Sequence, residues 1–207
     1  MTCLAFPLFV QADTDAEQST QLVEHSSKAK TELIERLKPI THFSGRFTQK
    51  VFDADNNLLQ QGSGTLSISK PNKIKWHTVE PEESLIVSNG ESLWFFDPFI
   101  EQVTAYSLEN AIANTPILLI TNDDTALWDK YTVSKLDNRF NILSNDDDAQ
   151  VKVLSLIFKG DAIANITIED VTGQISNIYL SELKMEKQDQ DLFEFVIPEG
   201  IELDDQR

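Results

Sequence analysis

His42-Phe43-Ser44-Gly45-Arg46-Phe47-Thr48-Gln49-Lys50-Val51 is the stretch where the chain changes its period. Phe43, Gly45, Phe47, Gln49 and Val51 share one face of an extended chain, and Ser44, Arg46, Thr48 and Lys50 share the other, which is the alternation of a half-buried strand. Just upstream the spacing is different. Leu22, Ser26, Ala29, Leu33 and Leu37 recur three, four and seven residues apart, so Ser19 to Leu37 reads as one amphipathic helix, stopped by Pro39. Downstream, the turn Asp53-Ala54-Asp55-Asn56-Asn57 leads into a second strand, Leu58 to Ile68, whose Gly62 and Gly64 predict a bulge or a close backbone approach.

The alternation then repeats. Ile74, Trp76 and Thr78 alternate with Lys73, Lys75 and His77, a third strand. Ser84 to Ser88 and Ser92 to Asp97 flank Asn89-Gly90, a pair that favours a type I′ hairpin turn. Leu93-Trp94-Phe95-Phe96 is apolar on both faces, so something other than water must cover its second face. Val103 to Tyr106 reads as another strand, and Pro116-Ile117-Leu118-Leu119-Ile120 as a short helix or lid segment. The second half reads as an antiparallel meander: Tyr131 to Leu136, Arg139 to Ser144, Val151 to Phe158, Ile163 to Ile168, Ile175 to Leu183 and Leu192 to Val196, with turn residues between. The result is one curved sheet with a long N-terminal helix, in one domain over residues 13–207.

Composition bounds the function classes. With 207 residues the chain is long enough to bury a real core, and twelve Phe and three Trp exceed what disordered sequences carry. The net charge of −17 disfavours nucleic acid, which is held by clustered Lys and Arg, and disfavours stable association with an anionic bilayer. Thr2 to Val10 has the length of a signal-peptide apolar region, and Val10-Gln11-Ala12 before Asp13 has the small-residue pattern of a cleavage site. Residues 1–12 therefore read as a truncated signal peptide, although a basic n-region is missing. Its removal would take Cys3 with it and leave a mature chain without thiol chemistry.

No catalytic cluster emerges. His25, His42 and His77 lack metal-ligand spacing, and there is no phosphate-cradling glycine loop, nucleophile elbow or Cys nucleophile. Asp123-Asp124 and Asp147-Asp148 could bind a cation or act as acid and base, but in turns a solvated carboxylate is the default. Asn165-Ile166-Thr167 matches a glycosylation acceptor inside an apparent strand. The positive signal is a surplus of apolar residues on a sheet that bends around itself, which periodicity leaves open between a sandwich core and a lipid pocket.

Particular words decide between them. Phe47-Thr48-Gln49-Lys50, Lys70-Pro71-Asn72 with Trp76, and the run Pro81-Glu82-Glu83-Ser84-Leu85-Ile86-Val87-Ser88-Asn89-Gly90 come first. Leu93-Trp94-Phe95-Phe96-Asp97-Pro98-Phe99, Glu101-Gln102-Val103, Asn114-Thr115-Pro116 and Asp204-Asp205-Gln206-Arg207 follow. Together they resemble the periplasmic outer-membrane lipoprotein carrier family, LolA, from about Leu33 to the terminus, with Asp137 to Glu186 matching in pattern only. The resemblance implies an α+β fold that is mainly β, an incomplete, strongly curved antiparallel barrel closed by a helical lid over an apolar cavity. It implies a monomeric periplasmic carrier, not an enzyme and without a cofactor. Such a carrier takes the acyl chains of lipoproteins from an ATP-driven transporter of the inner membrane and passes them to an outer-membrane receptor lipoprotein resembling LolB. A lipid-anchored receptor of that kind would need a lipobox cysteine, which is lacking. The alternatives are a generic periplasmic binder of lipids or other hydrophobic ligands and a hydrolase with an unrecognised site.

By the same resemblance the acyl chains lie against Phe47, Ile74, Trp76, Ile86 and Phe99 on the sheet, with Leu37, Ile117, Leu118 and Ile120 on the lid side. Lys70 stands where the family commonly has an arginine that latches the lid. A lysine supplies one rotatable ammonium in place of a planar five-donor fork.

Overall fold

Why the long helix starts and stops where it does is visible in its contacts. The computed structural model describes residues 13–207 apart from 115, with side chains from 25 onward apart from 113–116. The expected signal segment, its cleavage site and Cys3 lie outside the described residues. Helix α1 (Asp13–Leu37) begins earlier than the apolar stripe implied, because polar residues extend a helix without needing a core. Its stripe buries Ala29, Leu33 and Leu37. Pro39 cannot donate a backbone bond, and the chain leaves through Lys38 and Ile40, whose N–H groups donate to Ile34 and Leu37.

Twelve strands follow in one sheet: β1 (His42–Phe52), β2 (Leu58–Ser69), β3 (Lys73–Glu80), β4 (Ser84–Asn89), β5 (Ser92–Asp97), β6 (Gln102–Ser107), β7 (Tyr131–Leu136), β8 (Arg139–Ser144), β9 (Val151–Lys159), β10 (Ala162–Asp170), β11 (Ile175–Lys184) and β12 (Glu202–Gln206). Their order is β12-β6-β5-β4-β3-β2-β1-β11-β10-β9-β8-β7, so β1 and β11 join two antiparallel meanders and the sheet ends on β12 and β7 without closing. In β1 the alternation holds: Phe43, Phe47 and Val51 are buried, while Arg46, Thr48 and Lys50 are exposed.

Two glycines let the sheet curl. A Cβ on Gly64 would lie 2.0 Å from the His77 carbonyl oxygen and 2.8 Å from the Phe47 ring, and the β2–β3 register shifts there, between Ser63 and Gly64. A Cβ on Gly45 would lie 2.7 Å from the Leu183 side chain, opposite the bulge where Glu182 takes a φ of 52°. Such bulges increase the local twist, which turns a flat meander into a trough.

Between β6 and β7 the chain crosses the trough as α2 (Leu108–Asn114) and two 3-10 helices, Pro116–Thr121 and Thr125–Lys130. The expected short lid helix is the first of these. The second was not legible, and its signal was Asp124, whose carboxylate caps it by accepting from the Ala126 N–H at 2.9 Å.

Three expectations are corrected. Leu192–Val196 is not a strand: a 3-10 helix, Gln190–Phe193, runs there with Asp189 as its cap, and Phe193 is buried on the outer face of the sheet. This segment supplies the missing cover for β5, since the Phe195 ring lies 6.0 Å from Trp94 and 6.1 Å from Phe96. The terminal residues then form β12, which pairs in parallel with β6 and so breaks the expected antiparallel pattern. Finally, the Asn89-Gly90 turn is not type I′. Gly90 has a φ of 99°, but Asn89 is not left-handed; its side-chain oxygen accepts from the N–H groups of Glu91 and Ser92 at 3.0 and 3.1 Å.

Candidate functional site

The concave face of the trough carries one apolar cluster that joins wall, lid and helix. From the wall come Phe47, Leu66, Ile68, Ile74, Trp76 and Leu93, with the partly buried Ile86 packed against them. Register explains the grouping: Trp76 faces Leu66 on β2 and Ile86 on β4, and Ile74 faces Ile68 and Ser88. The Phe47 and Trp76 rings lie 4.7 Å apart at a tilt of 48°, over the space that Gly64 leaves open. The far wall adds Phe140 and Phe158 in an edge-on pair at 5.8 Å.

The lid fills the trough. Ile117, Leu118, Leu119 and Ile120 are all buried, because this 3-10 helix is enclosed and residues three apart stack on one side while the rest meet the other. Leu37 and Leu33 of α1 close the same cluster. Of the residues singled out in the sequence, Leu37, Phe47, Ile74, Trp76, Ile86, Ile117, Leu118 and Ile120 are thus brought together. Phe99 is not. It sits in the β5–β6 turn, whose backbone is held by the Asp97 carboxylate accepting from the Phe99 N–H, and it is 81% exposed. Sequence reasoning missed Leu66 and Ile68, whose signal was their alternation with Ser67 in the second strand, and Leu119, a member of the apolar block of the lid.

Lys70 is a charged group buried beside this cluster, over whose Phe158 and Phe140 rings Arg36 and Lys135 also lie. Its side chain is 8% exposed, and its ammonium donates to the Leu37 carbonyl at the end of α1 at 3.0 Å and pairs with Asp123 at 3.3 Å. A void of about 40 Å³ adjoins it, lined among others by Leu37, Leu119 and Trp128. The turn that carries Lys70 holds the lid as well. The Asn72 N–H donates to the Thr121 carbonyl at 3.0 Å, and Asn122 donates through its side-chain amide to Asn72 at 2.8 Å. Asn72 has a φ of 59°, a left-handed conformation that asparagine tolerates, and its carbonyl accepts from the buried Ser88 hydroxyl at 2.8 Å. Asn72 and Asn122 were not singled out as site residues.

The remaining candidates resolve into structural roles. His77 pairs with Glu83 at 2.8 Å on the rim, and His42 meets the Thr41 hydroxyl. Asn165 is buried in β10, where its amide donates to the Ile178 carbonyl at 2.9 Å. Burial, with the Asp146 carboxylate nearby, pushes the Tyr131 phenol above its ordinary value, so it keeps its proton and remains a donor. Among the described residues no three His, Cys, Asp or Glu side chains are grouped to hold a metal ion, and no helix is long and apolar enough to cross a membrane.

Comparison with known proteins agrees with this geometry. The family described as outer membrane lipoprotein carrier protein LolA matches residues 38–196. An outer-membrane lipoprotein carrier protein of Aliivibrio fischeri is 36% identical over 178 residues, which cover 86% of this chain and 90% of that protein. One from Shewanella loihica is 35% identical over 204 residues, covering 98% of this chain and 93% of that protein. Among solved structures, an uncharacterized conserved protein of Thermus thermophilus superposes with a TM-score of 0.51 at 10% identity, over 85% of this chain and 98% of that one, a likeness of fold alone. With the family matched from the end of α1 to the segment that covers β5, and curated relatives matched over most of their length, the chain belongs to the outer-membrane lipoprotein carrier family, LolA.

Proposed function

We infer that this protein carries acylated lipoproteins across the periplasm by housing their acyl chains between the sheet and the lid. The observation that carries the reading is the single apolar cluster spanning Phe47, Ile74 and Trp76 on the sheet and Ile117 to Ile120 on the lid, beside one buried cation, Lys70, at the lid's edge. With the lid closed its side chains occupy the trough and keep most of the apolar surface of the site from water. Loading exchanges those side chains for acyl chains.

The energetics require such an exchange. At ~0.8 kcal/mol per buried CH₂, three long chains with about forty methylenes are held in a bilayer by roughly 30 kcal/mol, so spontaneous desorption is negligible. An apolar trough offsets most of that cost. An ATP-driven transporter of the inner membrane supplies the rest, and a receptor lipoprotein of the outer membrane that binds the chains better completes delivery. The carrier itself performs no bond chemistry, needs no cofactor and works as a monomer. Its net charge of −17 keeps it off anionic membrane faces. Lys70 acts as the latch of the closed state.

The test is to purify the mature protein from the periplasm of cells and identify what co-purifies by mass spectrometry, then to ask whether it removes lipoproteins from membranes that contain the transporter. Triacylated lipoprotein in the trough supports the reading. Free fatty acid or phospholipid alone, with no lipoprotein released, would replace the carrier with a general lipid binder.

A further inference from the structure

The open edges of the sheet, β12 beside β6 and β7 at the other end, are not hydrogen-bonded to each other. The chain itself spans that seam: α2 leaves the end of β6, and the 3-10 helix Thr125–Lys130 leads into β7. Over the seam lies a hollow of about 300 Å³, walled by Leu108 and Ile112 of α2, Leu127, Tyr131, and Ser144 and Ala149 at the end of β8 and in its turn. That volume is at the small end of ligand sites and suits one slender chain.

Three features give the hollow a direction. Its floor is the back of the lid assembly: Ile112 and Tyr131 belong to the same cluster as Ile117 to Ile120, and Leu108 and Leu127 pack against it. Its polar lining sets Lys130 and the phenol of Tyr131 against the carboxylates of Glu109 and Asp146, so the hollow suits the uncharged tail of an acyl chain and leaves an acidic head outside. Asn122 borders both this hollow and the void at Lys70, and its amide is bonded to Asn72 in the turn that holds the lid. A chain lying in the hollow therefore touches the lid fastening before the trough has opened.

We propose that the seam hollow is the entry port of the carrier, a preformed site that takes the tail of one acyl chain while the lid is still closed. This rests on the reading of the chain as an acyl-chain carrier. Entry at the seam loosens Asn122 from Asn72, and the remaining chains follow into the trough as Ile117 to Ile120 withdraw.

The probe is dodecanoic acid brominated at its far end, below its micelle concentration, with tryptophan quenching as the readout. The exposed Glu109 lines the port, whereas Trp76 lies inside the trough against Phe47 and Trp128 is buried in the same cluster, beside the void at Lys70. Quenching is followed in the mature protein with a single tryptophan placed at the port (Glu109→Trp with Trp76→Phe, Trp94→Phe and Trp128→Phe) and with Trp76 as the remaining one (Trp94→Phe, Trp128→Phe). The expected result is saturable quenching of the port tryptophan at concentrations that leave Trp76 bright. Filling the port by Ala149→Phe, or separately by Ser144→Leu, should weaken probe binding tenfold or more and slow lipoprotein loading to a similar degree, with the final yield unchanged. Both positions are partly exposed at the end of β8 and its turn, so two independent fillings guard against a folding defect. Trp76 quenched at the same concentrations as the port tryptophan, or filled variants that load at the wild-type rate, would overturn the port while wild-type loading still upheld the carrier. Quenching at the port tryptophan with no lipoprotein loaded by the wild type would overturn the carrier reading, and the port with it.

Discussion

Replacing Lys70 by leucine removes the one ammonium that ties the end of β2 to the end of α1. The loss can be bounded from its two contacts. A hydrogen bond from a charged donor is worth about 1.5–3 kcal/mol, but the Leu37 carbonyl also accepts from the Ile40 N–H at 3.1 Å, so it is not left empty. The ion pair adds little, since Asp123 is 64% exposed and such pairs contribute about 0–1 kcal/mol. Leucine regains some packing against Leu119 and Trp128. The closed, empty state should thus lose about 1–2 kcal/mol relative to the open, loaded one, a roughly 5- to 30-fold change in their ratio. Loaded Lys70→Leu carrier should discharge poorly to purified receptor while still accepting lipoprotein. Hydrogen exchange at the Asn72 amide, which donates to Thr121 in the closed lid, should quicken by the same factor. Lys70→Arg should act oppositely, because the void of about 40 Å³ beside Lys70 gives a planar guanidinium room and more donors. Asp123→Asn should stay within about threefold of wild type, given the small worth of the exposed pair. Equal discharge and equal exchange in wild type, Lys70→Leu and Lys70→Arg would refute the latch.

Other expectations follow from the same geometry. Ile74→Glu puts a carboxylate among Ile68, Trp76 and the lid, which costs several kcal/mol without a partner; lipoprotein uptake should vanish and the melting temperature fall while circular dichroism still shows a β-rich fold, and normal uptake would remove Ile74 from the site. Gly64→Ala forces a methyl group to within 2.0 Å of the His77 carbonyl oxygen, so denaturant titration should show a loss of about 3 kcal/mol, and an unchanged midpoint would contradict the close β2–β3 approach. N-terminal sequencing of periplasmic protein, expressed with its native upstream region, should begin at Asp13; an uncleaved cytosolic product would refute export by this signal.

Local pattern was a reliable guide wherever one face met the core and the other met water. β1 and β3 were legible residue by residue because burial alternates with the pleat, and the positions of Lys70 and of the segment crossing the trough could be singled out because Lys70-Pro71-Asn72 and the apolar block after Asn114 carry the family resemblance. Partnership at a distance was not legible. Nothing near Leu192 says that its segment will lie on the outer face of β3 to β5, and a strand and a 3-10 helix differ little over five apolar-rich residues. Phe99 was placed at the cavity by the family resemblance, yet it stands in the β5–β6 turn, where it is 81% exposed.

The sequence by itself determined the alternating strands, the turns between them, the amphipathic stripe of α1 and the family to which the chain belongs, because each depends on residue types at short spacing. Only the tertiary structure decided that the sheet stays open at a seam, that β12 returns beside β6 in parallel, and that Asn72, Asn122 and Lys70 meet the end of α1 and the lid at one point. Those outcomes depend on pairings between residues up to a hundred positions apart, whose free energy appears only once the bulges at Gly45 and Gly64 have curled the sheet far enough to bring them into contact.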